Sequence, residues 1–177
     1  MSDFGSAIEF SKSARQISPA VLLLDMRMPS MNGLDLQKNL SELGWQLPVI
    51  YMSGESHNQE IIDAMKGGAI DFLWKPFAQS QLVQAIDKGM SLDAHNTKQN
   101  QRLQQVAFLH HSLSLREKHI FALMLRGYGN KAIAALTGVM ADTVKKQRAQ
   151  VLAKMQVHSL VDLLAFCKDF VPEIHSD

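Results

Sequence analysis

Residues 21–29 read Val-Leu-Leu-Leu-Asp-Met-Arg-Met-Pro, and this stretch decides the fold. The run of apolar residues predicts a strand over 21–24 that is buried on both faces, as the strands of parallel sheets are. A single carboxylate, Asp25, follows directly. We therefore expect Asp25 to stand where a buried strand reaches the edge of its sheet.

Two further apolar segments follow the same plan. Residues 47–52 predict a strand that is followed by Ser53, and residues 69–74 predict a strand that is followed by Lys75. Ligands of parallel sheets bind at the carboxyl ends of the strands. A carboxylate, a hydroxyl and an ammonium group at successive strand ends therefore predict a site that handles a phosphoryl group.

Helical patterns alternate with these strands. A capping-box pattern from Ser6 to Glu9 predicts a short helix to about residue 16. Amphipathic segments then predict helices over about 34–43, over about 61–66 and from about residue 80. Strands that alternate with helices predict an α/β fold with a parallel sheet and right-handed crossovers.

The composition excludes several classes of protein. Of the 177 residues 46% are hydrophobic, but the uninterrupted apolar runs are only strand-length, so neither a membrane span nor a membrane partner is expected. The N-terminus lacks the basic start and apolar core of a secretory signal. The single cysteine, Cys167, cannot form an internal disulfide, which favours a reducing, cytoplasmic location.

Positive charge is concentrated in the second half of the chain. Residues 113–168 contain nine Lys or Arg against three Asp or Glu, whereas residues 1–112 contain nine against eleven. A basic domain suggests a polyanion as partner, although a solvated charged face gives the same pattern.

The second half is helical in pattern. Residues 88–112 are polar and lack proline, and they predict a helical linker in which Phe108 and Leu109 dock. A second capping box, Ser114 to Glu117, starts a helix, and further helices are predicted over 130–136, 141–155 and 160–166. Two helices joined by a short turn that contains Gly138 predict a helix-turn-helix.

Short motifs in a fixed order relate the chain to a known family. The first half contains Leu-Leu-Leu-Asp-Met-Arg-Met-Pro (22–29), Met-Asn-Gly-Leu (31–34), Pro-Val-Ile-Tyr-Met-Ser-Gly (48–54) and Asp-Phe-Leu-Trp-Lys-Pro-Phe (71–77). The second half contains Leu-Ser-Leu-Arg-Glu (113–117), Asn-Lys-Ala-Ile-Ala (130–134) and Thr-Val-Lys-Lys-Gln-Arg (143–148). The first half resembles the receiver domain of two-component response regulators, and the second resembles the LuxR-type helix-turn-helix domain. This pairing is that of the NarL/FixJ subfamily.

The resemblance implies a domain organisation. We expect a partial receiver over 1–87, a helical linker over 88–112, a four-helix LuxR-type domain over 113–168 and a tail over 169–177. The receiver fold would be a flavodoxin-like, doubly wound parallel sheet. The sequence contains no counterpart of the family's first strand and helix, which leaves residues 21–24 as an apolar edge. A misassigned start codon, a natural truncation and a deliberate shortening each explain this.

The resemblance also assigns roles in the receiver. It implies that Asp25 accepts a phosphoryl group from a sensor histidine kinase, while Lys75 neutralises its charge and Ser53 donates a hydrogen bond to it. Phe72 occupies the position of the family's switch aromatic. The Lys75-Pro76 bond is a candidate cis peptide.

A metal is part of the same implication. Receivers bind Mg²⁺ through the acceptor carboxylate, the carbonyl two residues later and an acidic pair at the end of the first strand. Here the first two are Asp25 and the backbone carbonyl of Arg27. Upstream of them the only acids are Asp3 and Glu9, so the acidic pair has no counterpart and Mg²⁺ binding is in doubt.

In the second half the resemblance makes residues 141–155 the recognition helix of a double-stranded DNA-binding domain. Lys145 and Lys146 would reach base edges or phosphates. The backbone of the DNA would be contacted by Asn130, Lys131, Thr143 and Arg148. Two departures from the family pattern stand out: Met140 replaces a Ser or Thr helix cap, and Gln156 replaces a glycine.

The function that follows is a DNA-binding, non-enzymatic response regulator that controls transcription as a homodimer. The alternative is a regulator whose receiver part serves only for dimerisation or partner binding, without phosphoryl transfer. A phosphatase-like α/β domain has little support, since no nucleophile with an adjacent base and no Gly-rich phosphate loop occurs.

Overall fold

The computed structural model describes residues 2–6, 9–10, 17–28, 32–55 and 58–172. The chain forms two compact units, Met1–Lys98 and Gln99–Asp177. Of the first predicted helix, only Ser6, Glu9 and Phe10 lie within the described residues, and the Glu9 N–H donates to Ser6 Oγ at 3.2 Å. None of the helices in the described part of the chain has the length and hydropathy needed to cross a membrane.

Unit 1 contains a three-stranded parallel sheet in the order β1-β2-β3, formed by Leu22–Asp25, Val49–Ser53 and Asp71–Trp74. The predicted strands are confirmed, but β1 begins and ends one residue later than predicted, β2 begins two residues later and ends one later, and β3 begins two residues later and ends at Trp74 as predicted. Asp25 pairs with Met52, and Ser53 pairs with Trp74. The hydrogen bonds between strands join backbone groups, whatever the side chain of the residue is. Asp25 and Ser53 are therefore the last residues of their strands rather than the first residues after them.

Helices cover both faces of this sheet. They are α1 (Gly33–Glu42), α2 (Asn58–Lys66) and α3 (Gln79–His111). Leu24 and Tyr51 share one buried cluster with Leu36 of α1. On the other face, Ile50 of β2 and Leu73 of β3 pack with Ala85 of α3 in a second buried cluster. The described part of unit 1 is therefore doubly wound, as predicted.

The backbone at the start of α1 lies close to the backbone at the end of β1. The side chain of Asn32 caps α1 by accepting the Asp35 N–H at 2.8 Å. A Cβ atom on Gly33 would lie 2.7 Å from the Tyr51 ring and 2.9 Å from the Asp25 carbonyl oxygen, so only glycine fits. The start of α1 is thus packed directly against the end of β1.

Unit 2 consists of the C-terminal part of α3 followed by α4 (Leu115–Leu125), α5 (Asn130–Thr137), α6 (Ala141–Lys154) and α7 (Leu160–Phe166). Residues 88–111 are helical, as predicted, but they continue a helix that already begins at Gln79. Val106 and Leu109 are buried in the core of unit 2. The side chain of Phe108 is 76% exposed, so the prediction that it docks was wrong.

Some helix ends have the residues that are preferred as caps, and others do not. Ser114 and Glu117 form the predicted capping box at the start of α4. Met140 gives α6 no side-chain cap, and Gln156 adopts a left-handed φ of 56° where glycine is preferred. Gly138, at φ 68°, ends α5 and allows the tight turn into α6.

Candidate functional site

The carboxyl ends of the strands bring the predicted carboxylate and ammonium groups together. The Nζ atom of Lys75 lies 2.6 Å from Oδ2 of Asp25, and the backbone N–H of Arg27 donates to Asp25 Oδ1 at 3.1 Å. The side chains of Asp25 and Lys75 are 37% and 44% exposed. Asp25 is thus reachable from solvent beside a cation that can balance a phosphoryl group. The Lys75-Pro76 peptide bond is cis, as predicted.

Ser53 is the most buried member of this group. Its Oγ atom donates to the Glu55 carbonyl at 2.9 Å and accepts from the Glu55 N–H at 3.2 Å. Its own carbonyl accepts the Lys75 N–H at 2.8 Å, which links the ends of β2 and β3. A serine hydroxyl has one proton to donate. To donate to a phosphoryl oxygen on Asp25, Ser53 therefore has to release the Glu55 carbonyl.

Phe72, the predicted switch aromatic, lies in the middle of β3 and is half-buried. Its ring meets the edge of the Trp74 ring at a centroid distance of 5.2 Å. Phe72 also packs against the cluster that contains Leu24. The ring is therefore placed between the core and an exposed aromatic side chain on the same strand.

Within the part of the chain that the structure describes, the donor set around Asp25 is incomplete for Mg²⁺. The Glu55 carboxylate is paired with Arg27, whose Nη1 atom lies 3.4 Å from Glu55 Oε2. Among the described residues, no three His, Cys, Asp or Glu side chains come together as a metal site. Mg²⁺ demands near-octahedral oxygen coordination. Asp25 and the Arg27 carbonyl, predicted as ligands, do not supply it by themselves.

The predicted DNA-contacting residues of unit 2 lie on two consecutive helices. Asn130 and Lys131 form the start of α5, and Thr143, Lys145, Lys146 and Arg148 lie on α6. Most of these side chains are exposed, whereas Asn130 and Arg148 are half-buried. Val144 and Val151 point into the core, so the opposite face of α6 carries the lysines outwards. The geometry is that of an exposed helix with a basic N-terminal half.

Arg148 has an internal partner that its sequence position did not reveal. Its Nη1 atom donates to the carbonyl oxygen of Tyr128 at 2.7 Å and so ties α6 to the loop before α5. Tyr128 is partly exposed beside Asn130 and is a further candidate for the interface. Sequence reasoning missed it because a loop residue is brought near α6 only by the fold.

The two helices that would face DNA both begin without a side-chain cap. Gly129 and Met140 are their N-cap residues, and neither makes a side-chain cap hydrogen bond. The other described caps in unit 2, Ser114 and Ser159, do make one. The first N–H groups of a helix have no intrahelical partner and favour anions such as phosphate.

An ion pair joins the end of α6 to the start of α4. Lys154 Nζ lies 2.7 Å from Glu117 Oε2, and the Ser114 N–H also donates to Glu117 Oε2 at 2.8 Å. The hydrogen bond from Lys154 and that from the Ser114 backbone hold the pKa of Glu117 below its usual range. The pair fixes the C-terminal end of α6 on unit 2.

Family models match both units. Residues 2–87 match the model of the response regulator receiver domain. Residues 111–167 match the model of bacterial regulatory proteins of the luxR family. The two matches cover the sheet with its acceptor candidate and the four helices α4–α7.

Similar proteins have the same two parts over most of the chain. Response regulator protein TodT of Pseudomonas putida is 37% identical over 161 residues, which are 91% of this chain and 71% of TodT. Transcriptional regulatory protein FixJ of Rhizobium meliloti is 34% identical over 166 residues, which are 90% of this chain and 78% of FixJ. The solved structure of response regulator StyR has a TM-score of 0.78 at 34% identity and covers 94% of this chain and 84% of that one.

Proposed function

Because the chain belongs to the NarL/FixJ-type response regulators, in which a receiver domain precedes a LuxR-type DNA-binding domain, we propose that it binds duplex DNA through α5 and α6 and that Asp25 is its phosphoacceptor. Proteins of this family are transcriptional regulators of two-component systems and are in general not enzymes. We propose the domain boundaries predicted from the sequence, with a partial receiver over 1–87, a helical linker over 88–112, a DNA-binding domain over 113–168 and a tail over 169–177; the second compact unit begins within this linker, at Gln99.

The observation that carries DNA binding is the outward face of α6. Lys145 and Lys146 are exposed there. Val144, which lies between Thr143 and Lys145 in the sequence, is fully buried. With Lys131 at the start of α5, these charges lie on helices whose first N–H groups have no side-chain cap. Such a surface binds phosphates and lets the N-terminal turns of α6 enter a major groove.

The test is binding of the full chain to labelled duplex DNA at several salt concentrations. Each phosphate contact releases counterions, so the affinity should fall linearly on logarithmic axes with a slope of about −0.9 per contact. Binding that is absent, or that does not weaken with salt, would refute the proposal. DNA selected from random duplexes by the full chain would supply the operator sequence.

The phosphoryl step is proposed from the geometry around Asp25. An oxygen of its carboxylate would attack the phosphorus of a phosphohistidine on a sensor kinase. The new O–P bond forms as the P–N bond breaks, and the imidazole nitrogen leaves with the bonding electron pair and takes a proton from solvent. Lys75, now 2.6 Å from Asp25, would pair with the phosphoryl oxygens, and Ser53 would donate to one of them.

A second candidate function keeps DNA binding and dispenses with phosphoryl transfer. The observation that favours it is that no three His, Cys, Asp or Glu side chains of the described residues come together as metal ligands at Asp25. Receiver domains of this family typically use Mg²⁺, and the described residues do not compose a site for it. In a regulator of this second kind, the receiver part serves for dimerisation or partner binding.

Homodimer formation belongs to the proposal in either reading. Val161 and Leu164 lie one helical turn apart on α7, and both are exposed. An apolar stripe of this kind is suited to a second copy of the same helix across a two-fold axis. Sedimentation of the full chain with and without Val161→Glu would test it, and an unchanged monomer fraction would contradict it.

A further inference from the structure

The C-terminal end of α7 is held by a side chain from another helix. Nη1 of Arg102, on α3, lies 2.8 Å from the carbonyl oxygens of both Phe166 and Lys168. The last carbonyls of a helix have no partner within it and carry partial negative charge. Arg102 therefore acts as a C-cap that α3 supplies to α7.

The turn that follows α7 has a backbone conformation that needs support. Asp169 has a φ of 67°, in the left-handed region that L side chains rarely adopt. Its Oδ2 atom lies 3.5 Å from Nη2 of Arg102 and 3.4 Å from Nε2 of Gln99. Conformations of this kind persist where the surroundings determine them. Two neighbouring turns of α3 supply that support here.

The same turn is held at its other end. The ring of Phe170 packs against His110 of α3 at a centroid distance of 5.3 Å, and His110 also packs against Phe121 of α4 at 5.0 Å. Cys167, the residue directly after α7, is only 5% exposed. Helix α3 thus contacts the segment after α7 on both sides of Asp169.

One core connects α7 with the recognition helix. Leu163 of α7 is fully buried in the cluster that contains Val151 of α6, Met155 directly after α6, and Val106 of α3. Protein cores are close-packed, so a displacement of one helix is transmitted to its neighbours. The position of α7 therefore affects the orientation of α6.

We propose that Arg102 is a positioning residue for DNA recognition, which fixes the end of α7 from helix α3 and thereby the core on which α6 lies. The proposal rests on the DNA-binding function proposed above and adds a residue outside the predicted DNA-binding domain to it. It also makes residues 99–111 a working part of the DNA-binding unit rather than a spacer.

The test uses the full chain and the variant Arg102→Met, which keeps an unbranched apolar stem and removes every donor. Lys98→Met is the matched control, since Lys98 is an exposed cation on the same helix. The first readout is alkylation of Cys167 by N-ethylmaleimide, followed by intact mass; it is the only cysteine of the chain. Local opening around a buried thiol exposes it, and we expect Arg102→Met to raise the rate by about tenfold or more.

The second readout is the Kd for duplex DNA at a temperature at which circular dichroism shows the variant to be folded. We expect Arg102→Met to weaken binding by about three- to tenfold without changing the salt slope, because no phosphate contact is removed. Lys98→Met should change neither readout. A purely stabilising role would lower the melting temperature and leave this Kd unchanged.

A double variant separates positioning from charge. Glycine adopts the left-handed region at no steric cost, so Arg102→Met with Asp169→Gly should recover most of the affinity that Arg102→Met loses. Failure to recover, an unchanged Kd in Arg102→Met, or alkylation at the wild-type rate would overturn the proposal. If the wild-type chain binds no DNA, the proposed function and this role both fail, and alkylation still decides whether Arg102 holds α7.

Discussion

Lys75 Nζ lies 2.6 Å from Asp25 Oδ2, although fifty positions separate the two residues in the chain. The parallel pairing of β1 with β2 and of β2 with β3 brings them to one edge of the sheet. Their side chains are between one third and one half exposed, so solvent screens the pair. The pair is therefore better suited to chemistry at the surface than to stabilising the fold.

Lys75→Met should consequently leave stability almost unchanged. Exposed ion pairs contribute about 0–1 kcal/mol, so we expect the free energy of unfolding in urea to change by no more than that. Phosphoryl labelling of Asp25 should fall, because the cation that balances the phosphoryl charge is gone. Lys88→Met, which removes the 3.6 Å pair with Asp71, is the matched control and should leave labelling unchanged.

Labelling itself is predicted to be slow and to depend little on Mg²⁺. Among the described residues, no three His, Cys, Asp or Glu side chains come together as metal ligands at this site. Acetyl phosphate, with and without Mg²⁺, followed by intact mass, measures this, with Asp25→Asn as the blank. Fast labelling that requires Mg²⁺ and disappears in the blank would show that a complete metal site forms.

Removal of two lysines from α6 should weaken DNA binding and reduce its salt dependence. For Lys145→Ala combined with Lys146→Ala we expect the salt slope to fall by about 1–2, according to how many of the two contact phosphates. The readout is the Kd of the full chain as a function of salt. Lys38→Ala with Lys66→Ala, which removes the same charge from unit 1, should have little effect. Equal losses in both double variants would point to net charge alone.

Acid should destabilise unit 2 through Glu117. The hydrogen bond from Lys154 and that from the Ser114 backbone lower the pKa of Glu117 in the folded state. The associated stability is therefore present above the unfolded pKa of about 4.3 and is lost as the pH falls through the lower folded value. Urea midpoints between about pH 5 and pH 3 should fall less steeply in Glu117→Gln than in the wild type. Asp87→Asn, which removes one negative charge from an exposed position on α3, is the charge-matched control.

Gln156→Gly should stabilise the chain. Gln156 has a φ of 56° directly after α6, and glycine adopts this conformation without a Cβ clash. We expect the free energy of unfolding to rise by about 0.5–1 kcal/mol. Gln150→Gly within α6 is the opposite control and should cost about 1 kcal/mol. A loss of stability in Gln156→Gly would mean that the glutamine side chain contributes more than its backbone costs.

Much of the fold could be predicted because it follows from local patterns. Apolar runs mark strands, capping boxes mark the start of helices, and Gly138 marks the turn between α5 and α6. Apart from the C-terminal end of β3, each strand bound was displaced by one or two residues. Hydrogen bonding between backbones sets those bounds, and the side chains of Asp25 and Ser53 do not indicate that their backbones are paired.

Some errors came from contacts between distant parts of the chain. Phe108 and Leu109 look alike in sequence, yet only Leu109 faces the core, because the direction of a helical side chain depends on where the next helix packs. Arg148 is predicted to contact a phosphate, and only the fold reveals that it also donates to the Tyr128 carbonyl. The sequence did not indicate the contacts of Arg102 with the end of α7, since a single arginine in a polar helix is common.

The sequence by itself determined the kinds of element, their order and the residue types at the strand ends, because these depend on periodicity and on turn chemistry over a few residues. The tertiary structure decided which of those groups meet. It paired Asp25 with Lys75, turned Ser53 towards Glu55, and joined Arg102 to the end of α7. Hydrogen bonds and ion pairs require atoms within about 3 Å, and only the packing of sheet and helices brings residues that are distant in sequence that close.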